Sequence, residues 1–120
     1  MVVIVVVKLE SNVENKYVEF VNKQGFESIK VNKRGWPDRL TVLNCGYSFY
    51  IEFKRPGKKD KFGNRKGEKL QKYTHKELRK SATHVYLVDD LEQAKTIFEY
   101  ELDWSNNIMK MFKPFKEMKL

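Results

Sequence analysis

The strongest constraint on the fold is a strand–turn–strand pattern in the middle of the chain. Residues 39–43 and 48–54 are rich in β-branched, aromatic and aliphatic side chains, and the segment between them is Asn-Cys-Gly-Tyr. Two such runs joined by a short turn containing Asn and Gly predict a β-hairpin. The rest of the chain must therefore pack around a sheet built on this hairpin.

The hairpin also predicts which side chains share a face. Side chains alternate along a strand, so Glu52 and Lys54 project to one side. The opposite side takes Phe49, Ile51 and Phe53. A four-residue turn places Asp38 opposite Phe53, within one position of Glu52. Two carboxylates and an ammonium group are therefore expected at one end of the sheet.

The remaining segments alternate between helical and strand patterns. Apolar residues recur at helical spacing from 12 to 24, and Gly25 follows as the stop. After this helix we predict a strand at 26–32 and a loop at 33–38 before the hairpin, and an exposed loop at 56–68 after it. A second helix is predicted at 69–80, with Leu70, Tyr73, Thr74 and Leu78 buried. A strand at 84–88 and a last helix at 91–101, capped by Asp89 or Asp90, complete the order. This order predicts one α/β domain over residues 1–120, with a mixed central β-sheet flanked by helices.

Both ends of the chain have unusual composition. Met1–Val7 is an apolar run that contains six consecutive β-branched residues, which favours a buried or interface strand over a disordered extension. The run is far shorter than the roughly 18 residues of a membrane span, and it lacks the features of a signal peptide. At the other end, 103–120 is a basic and aromatic tail in which Pro114 excludes one continuous helix. We expect no membrane association.

The charge of the chain indicates a polyanionic partner. Lys and Arg number 24 and Asp and Glu 16, a formal charge of +8. Residues 54–80 contain 12 basic and 3 acidic residues, whereas the rest of the chain contains 12 and 13. This concentration beside the proposed carboxylates favours nucleic acid over a membrane surface.

The one cysteine, Cys45, excludes an intrachain disulfide and favours a reducing, cytoplasmic location.

Asp38, Glu52 and Lys54 suit metal-assisted hydrolysis of a phosphodiester. Two carboxylates are hard oxygen ligands for Mg²⁺, and a backbone carbonyl such as that of Phe53 can add a third. The alternative is a structural ion pair, because Glu-x-Lys is also a common pattern on a strand surface. The residues alone leave both interpretations open.

A family resemblance favours the first interpretation. Pro37-Asp38 followed by Glu52-Phe53-Lys54 resembles the PD-(D/E)xK nuclease motif. More narrowly, GWPDRL, YIEFKRPGKK and a later helix containing Gln71 are similar to the VRR-NUC branch, over about residues 10–90. The resemblance implies a restriction-endonuclease-like core and a metal-dependent, structure-selective DNA endonuclease. Small members of this branch resemble enzymes that resolve Holliday junctions as homodimers.

The resemblance also implies roles for individual residues. Asp38 and Glu52 would bind Mg²⁺ or Mn²⁺, with the carbonyl of Phe53, and no small-molecule cofactor is implied. Lys54 would be the catalytic lysine and Gln71 would face the site from its helix. The first helix would add a carboxylate: Glu14 is preferred because it lies beside the apolar stripe, and Glu10 is the competing candidate.

Other residues have weaker assignments. Candidate DNA contacts are Lys33, Arg34, Arg55, Lys58, Lys59, Lys61, Arg65, Lys66 and Lys72. Trp36 either wedges into branched DNA or packs against the hairpin. His75 is expected on the surface, and Cys45 has no assigned role. The function that competes with the nuclease is a non-catalytic nucleic-acid-binding module, and a general duplex nickase remains an alternative within the nuclease class.

Overall fold

A computed structural model describes residues 2–55, 66–81 and 83–111, with side chains described from residue 12 and, in the second segment, from residue 70. The elements in chain order are α1 (Val2–Lys23), β1 (Glu27–Lys30), β2 (Arg39–Val42), a 3-10 turn (Asn44–Gly46), β3 (Ser48–Phe53), α2 (Lys66–Lys80), β4 (Val85–Val88) and α3 (Leu91–Met111). From the predicted first helix onward, the order of helices and strands is confirmed.

The four strands form one mixed sheet in the order β1-β2-β3-β4. The first three are antiparallel neighbours, and β4 pairs with β3 in parallel. A parallel neighbour requires a crossover, and α2 lies within the segment that makes it. The predicted α/β class with a mixed sheet is confirmed.

The core lies between one face of the sheet and the two long helices. Phe49, Ile51 and Phe53 of β3 are completely buried on this face. The ring of Tyr17 on α1 lies 5.6 Å from that of Phe53, and its hydroxyl is 2.6 Å from the Thr41 hydroxyl. Burial of aromatic and aliphatic area is the main stabilising term here, at about 25 cal/mol per Å². The apolar face of α1 was predicted, and in the structure it packs against the hairpin strands of the sheet.

The turn of the hairpin is one residue longer than predicted. Val42 pairs with Ser48, and the Leu43 N–H donates to the Tyr47 carbonyl at 2.7 Å. The loop is therefore 43–47, with Cys45 in the left-handed region at φ 60°. The predicted pairing of Leu43 with Ser48 was wrong by one residue. Continuing the observed register sets Asp38 level with Glu52 rather than with Phe53.

The N-terminal apolar run is helical, which corrects the predicted strand. Helix α1 begins at Val2, ten residues before the predicted start. Extending an existing helix adds one hydrogen bond per residue fixed, whereas β-branched residues disfavour helix by only a few tenths of a kcal/mol each. The helix therefore propagates through the run. Among the described residues, no helix combines the length and apolarity needed to cross a membrane.

The last helix is ten residues longer than predicted. Helix α3 runs to Met111, so the first half of the predicted tail is helical, while 112–120 lie outside the described residues. The buried residues of α3 are Ala94, Phe98, Glu101 and Ser105. They recur at helical spacing, but two of them are polar, which hid the stripe in the sequence. The N-cap prediction is confirmed: Asp90 accepts a hydrogen bond from the Gln93 N–H at 2.8 Å.

Candidate active site

The two carboxylates of the motif meet at the end of the β2–β3 hairpin. Glu52 lies near the end of β3 and is 3% exposed. Asp38 precedes β2, and its Oδ2 accepts a hydrogen bond from the Phe53 N–H at 2.8 Å. The Asp38 carbonyl accepts another from the Val31 N–H at 2.9 Å. Backbone bonds on both sides thus fix Asp38 beside the end of β3.

Lys54 and Gln71 join this pair through one chain of hydrogen bonds. The Gln71 amide donates to Glu52 Oε2 at 3.0 Å. The Lys54 ammonium donates to Gln71 Oε1 at 3.1 Å and lies 3.7 Å from Glu52 Oε2. The Lys54 backbone N–H donates to the Val88 carbonyl at 2.8 Å, which holds the residue against β4. Four predicted site residues, Asp38 included, are therefore brought together, while their chemical roles stay predictions.

The electrostatics of Asp38 are those of a crowded, desolvated carboxyl group. Burial raises the pKa of Asp38 above its usual value, and the nearby Glu14 carboxylate raises it further. The hydrogen bond from the Phe53 N–H and the charges of Lys30 and Lys54 oppose this rise in pKa. A divalent cation would act in the same direction as those charges, because positive charge favours the ionised form of a carboxyl group.

Glu14 lies near Asp38 but is engaged by cations of the sheet. Its Oε2 accepts hydrogen bonds from Arg39 Nε at 2.8 Å and from Lys30 Nζ at 3.0 Å. Its carboxylate is close enough to affect the pKa of Asp38. Metal ligation by Glu14 stays a prediction, and the competing Glu10 side chain lies outside the described side chains.

His75 is buried, which corrects the predicted surface position. It is 1% exposed, and its Nε2 lies 4.0 Å from Glu52 Oε1. Burial, together with the charges of Arg79 and Lys54, lowers the pKa of His75 to about 4, so the ring is neutral near pH 7. Gln71 and His75 are one helical turn apart, and α2 therefore approaches both oxygens of Glu52.

The buried face of α2 also differs from the prediction. Tyr73 is 62% exposed and Leu70 is 38% exposed, whereas Thr74 and Leu78 are half-buried. Polar residues of α2 face the site because α2 packs over the face of the sheet that carries Glu52 and Lys54. The 3-4 spacing of Gln71, His75 and Leu78 was the signal in the sequence, and its polar members made it look like a solvated face.

A tight approach holds the loop before Asp38 against α2. Gly35 has φ +83°, and a Cβ added there would lie 2.8 Å from Leu70 Cδ2 and closer still to Cγ. Only glycine fits both this conformation and this space. Next to it, the Trp36 ring packs edge-on against Tyr50 at 5.9 Å, which supports the packing interpretation of Trp36.

The donor set fits an open Mg²⁺ site. Mg²⁺ takes oxygen ligands and is commonly held by one or two carboxylates plus water and substrate oxygens. Asp38 and Glu52 are such carboxylates, and an ammonium group lies beside them. Within the described part of the chain, no three His, Cys, Asp or Glu side chains are grouped so that they could hold a metal ion, so protein carboxylates alone supply at most two ligands here. The carbonyl of Phe53 as a third ligand stays a prediction.

The basic residues proposed to contact DNA divide into two groups. Lys33, Arg34, Arg55 and Lys72 are exposed in the structure. Lys58, Lys59, Lys61 and Arg65 lie outside the described residues, and only the backbone of Lys66 is described. The Lys33 ammonium lies 4.8 Å from the centroid of the Trp36 ring, in the loop that leads to Asp38. These exposed cations therefore lie next to the site residues on three segments: the loop before β2, the residues after β3, and α2.

A second buried carboxylate, which the sequence did not reveal, lies on the opposite face of the sheet. Glu101 of α3 is completely buried and accepts hydrogen bonds from the hydroxyls of Tyr47 and Tyr86. Its Oε1 also lies 2.6 Å from His84 Nδ1. Burial and the Glu101 carboxylate raise the pKa of both tyrosines above the usual value. A glutamate within a helix gives no sequence signal of such a cluster.

Comparison with known proteins defines the fold. No protein-family model matches this sequence, and no curated protein matches it. The mixed four-stranded sheet flanked by three helices is that of a restriction-endonuclease-like domain. Among solved structures, a VRR-NUC domain is similar to this chain, with a TM-score of 0.59 and 24% identity over 75% of this chain and 94% of that one. The chain therefore has the fold of a VRR-NUC domain, as the motif predicted.

Proposed function

We propose that this protein is a metal-dependent DNA endonuclease that hydrolyses phosphodiester bonds. The observation that carries the proposal is the convergence of Asp38, Glu52 and Lys54 at the end of the hairpin, on a fold shared with a VRR-NUC domain. Buried carboxylates beside an ammonium group are costly to assemble as plain structure. A divalent cation and a phosphate would complete the charge balance of this cluster.

The carboxylates hold the metal in this proposal. Asp38 and Glu52 would bind Mg²⁺ or Mn²⁺, with Glu14 as a candidate further ligand. When bound, such an ion lowers the pKa of a coordinated water and neutralises charge that develops on the phosphate. The backbone bond from Phe53 to Asp38 fixes one ligand, and Gln71 fixes the other.

Lys54 and Gln71 form the remaining part of the proposed machinery. The Lys54 ammonium lies beside Glu52, where it can stabilise negative charge on a phosphate oxygen or orient the attacking water. Gln71 accepts from Lys54 and donates to Glu52, so it keeps the cation and the ligand in a fixed relation. His75 supports Glu52 from the other side as a positioning residue.

The substrate is proposed to be DNA, and specifically branched DNA such as a Holliday junction. The exposed cations on α2, the loop before β2 and Arg55 would contact phosphates on both sides of the cleaved bond. A four-way junction has two symmetric cleavage positions, which a homodimer with paired sites would match. The preference for branched DNA and the homodimer rest on the VRR-NUC resemblance.

A cleavage assay on three labelled substrates tests this function. A four-way junction, a flap and a linear duplex would each be incubated with Mg²⁺, with Mn²⁺ and with EDTA. We expect cleavage in either metal, none in EDTA, and faster cleavage of the junction than of the duplex. Lys16→Gln, which removes an exposed charge on the far side of the sheet, is the matched control and should cleave normally.

The same assay separates the competing functions. Cleavage of all three substrates at equal rates would contradict the junction preference and favour a general nickase. Tight DNA binding without cleavage in either metal would contradict the nuclease and favour a non-catalytic binding module. In that case Asp38, Glu52 and Lys54 would form a structural ion cluster.

A further inference from the structure

The structure contains a second polar site, at the other end of β4 from Lys54. The residues just before β4 and the last turn of α2 line an open cavity of about 330 Å³. It is lined by Arg79, Thr83, His84, Val85 and Tyr86. Arg79 and His84 are exposed, and none of the described residues that line the cavity is a carboxylate. The Arg79 guanidinium and the Thr83 hydroxyl can therefore donate hydrogen bonds to a ligand at its mouth.

The His84 ring is held in a defined orientation by a buried acid. Its Nδ1 lies 2.6 Å from Glu101 Oε1, whereas the side chain as a whole is 43% exposed. A carboxylate only accepts hydrogen bonds, so Nδ1 carries the proton and Nε2 is the ring nitrogen on the open side. With Nδ1 bound to Glu101, Nε2 is the nitrogen that a ligand in the cavity would meet.

Arg79 is placed next to this ring by its own hydrogen bond. Its guanidinium donates to the Val85 carbonyl at 3.2 Å, which leaves further N–H groups for a ligand. Arg79 lies in the last turn of α2, the helix that also carries Gln71 and His75. The same helix therefore borders both the carboxylate site and the cavity.

We propose that Arg79, Thr83 and His84 form a phosphate-binding subsite and that its ligand in the protein–DNA complex is a backbone phosphate. The assignment to DNA rests on the proposed function, whereas the affinity for a phosphate group does not. Leu87 pairs with Glu52, and His84 lies three residues before it, roughly 10 Å along the strand and on the other face of the sheet. Because β4 is an edge strand, DNA that contacts both sites would pass around this edge.

Two titrations test the subsite and separate the sources of phosphate. The first adds inorganic phosphate to the metal-free protein and follows the imidazole resonances of His84, which is one of only two histidines. The second measures DNA binding in EDTA as a function of salt. Each is made on the wild type, Arg79→Gln, His84→Gln and the control Lys16→Gln. The two site residues are exposed, and thermal unfolding checks that each variant is folded.

We expect a saturable shift of the His84 resonances with inorganic phosphate, lost in Arg79→Gln and kept in Lys16→Gln. In the DNA arm, Arg79→Gln should reduce the slope of log affinity against log salt by about 0.9 relative to Lys16→Gln, and His84→Gln should weaken binding. If Lys16→Gln reduces the slope as much, or if inorganic phosphate leaves the His84 resonances unchanged, the subsite is overturned.

The two arms also separate this inference from the proposed function. A response to inorganic phosphate without any response to DNA would keep the subsite and overturn its assignment to the DNA backbone. Failure of the wild type to cleave any substrate would overturn the nuclease, but a phosphate response at His84 would still support the subsite.

Discussion

Glu52 and Glu101 are both buried glutamates in contact with a histidine, on opposite faces of one sheet, yet their surroundings differ. Glu101 is bound by two tyrosine hydroxyls and by His84, and these bonds tie α3 to the hairpin turn and to β4. Glu52 is approached by Gln71, Lys54 and His75, and it lies level with a second, desolvated carboxyl group, Asp38.

The difference separates a structural acid from a reactive one. The Glu101 carboxylate receives three protein donors, which satisfy it without any further group. Around Glu52 the protein gathers two carboxylates and an ammonium group, an arrangement that a divalent cation and a phosphate would stabilise. Burial of a carboxylate alone is therefore a poor guide to function, and the character of its neighbours is a better one.

The largest expected effect is the loss of cleavage in Glu52→Gln. The substitution keeps the shape of the side chain but removes a charged ligand, so the single-turnover rate constant should fall by at least about 10²–10³-fold. DNA binding in EDTA and the thermal unfolding midpoint should stay close to wild type. A cleavage rate near that of the wild type would show that Glu52 belongs with Glu101 as a structural acid.

Glu101→Gln should have the reverse profile. The amide cannot accept from all three donors as the carboxylate does, so the free energy of unfolding measured with urea should fall by about 3 kcal/mol. The rate constant at saturating DNA, measured where the variant is folded, should fall far less than in Glu52→Gln. Unchanged stability would contradict the structural role assigned to the cluster.

The lowered pKa of His75 predicts a loss of stability in mild acid. The unfolded chain binds a proton at His75 near pH 6.5 and the folded protein only near pH 4, so this stability is present above pH 6.5 and is lost as the pH falls toward 4. Between pH 7.5 and pH 5 the loss should be about 2 kcal/mol. In His75→Gln this part of the pH dependence should disappear, and an identical pH profile in both proteins would contradict a buried neutral ring.

Of the four substitutions, at Glu52, Glu101, His75 and Gln71, the one at Gln71 should have the smallest effect. Its amide joins Lys54 to Glu52 but neither holds a metal nor carries charge, so Gln71→Ala should reduce the cleavage rate constant by about 10-fold. The Michaelis constant for DNA should change little, because the lost interaction orients groups within the site. An effect on DNA affinity alone would instead make Gln71 a substrate contact.

The sequence was sufficient for the hairpin, the helix and strand order and the meeting of Asp38, Glu52 and Lys54. Those features follow from strand periodicity and from a motif whose members are close in sequence. The turn register was missed by one residue, because the left-handed conformation of Cys45 allows a longer loop that the residue types do not specify.

The errors elsewhere arise from tertiary context. The β-branched residues at the N-terminus favour a strand locally, but α1 extends through them. His75 and Glu101 were missed because each is polar on a buried face, and the groups that surround them come from distant segments. Hydrophobic periodicity identifies buried positions only where the buried side chains are apolar.

The most direct test of the central claim is the binding of Mn²⁺ to the protein, measured by titration calorimetry. Wild type and Lys16→Gln should bind the ion with equal affinity, whereas Asp38→Asn and Glu52→Gln should bind it at least about 10-fold more weakly, because each removes a charged oxygen ligand. Equal binding by all four proteins would place the ion elsewhere and contradict the metal centre at the end of the hairpin.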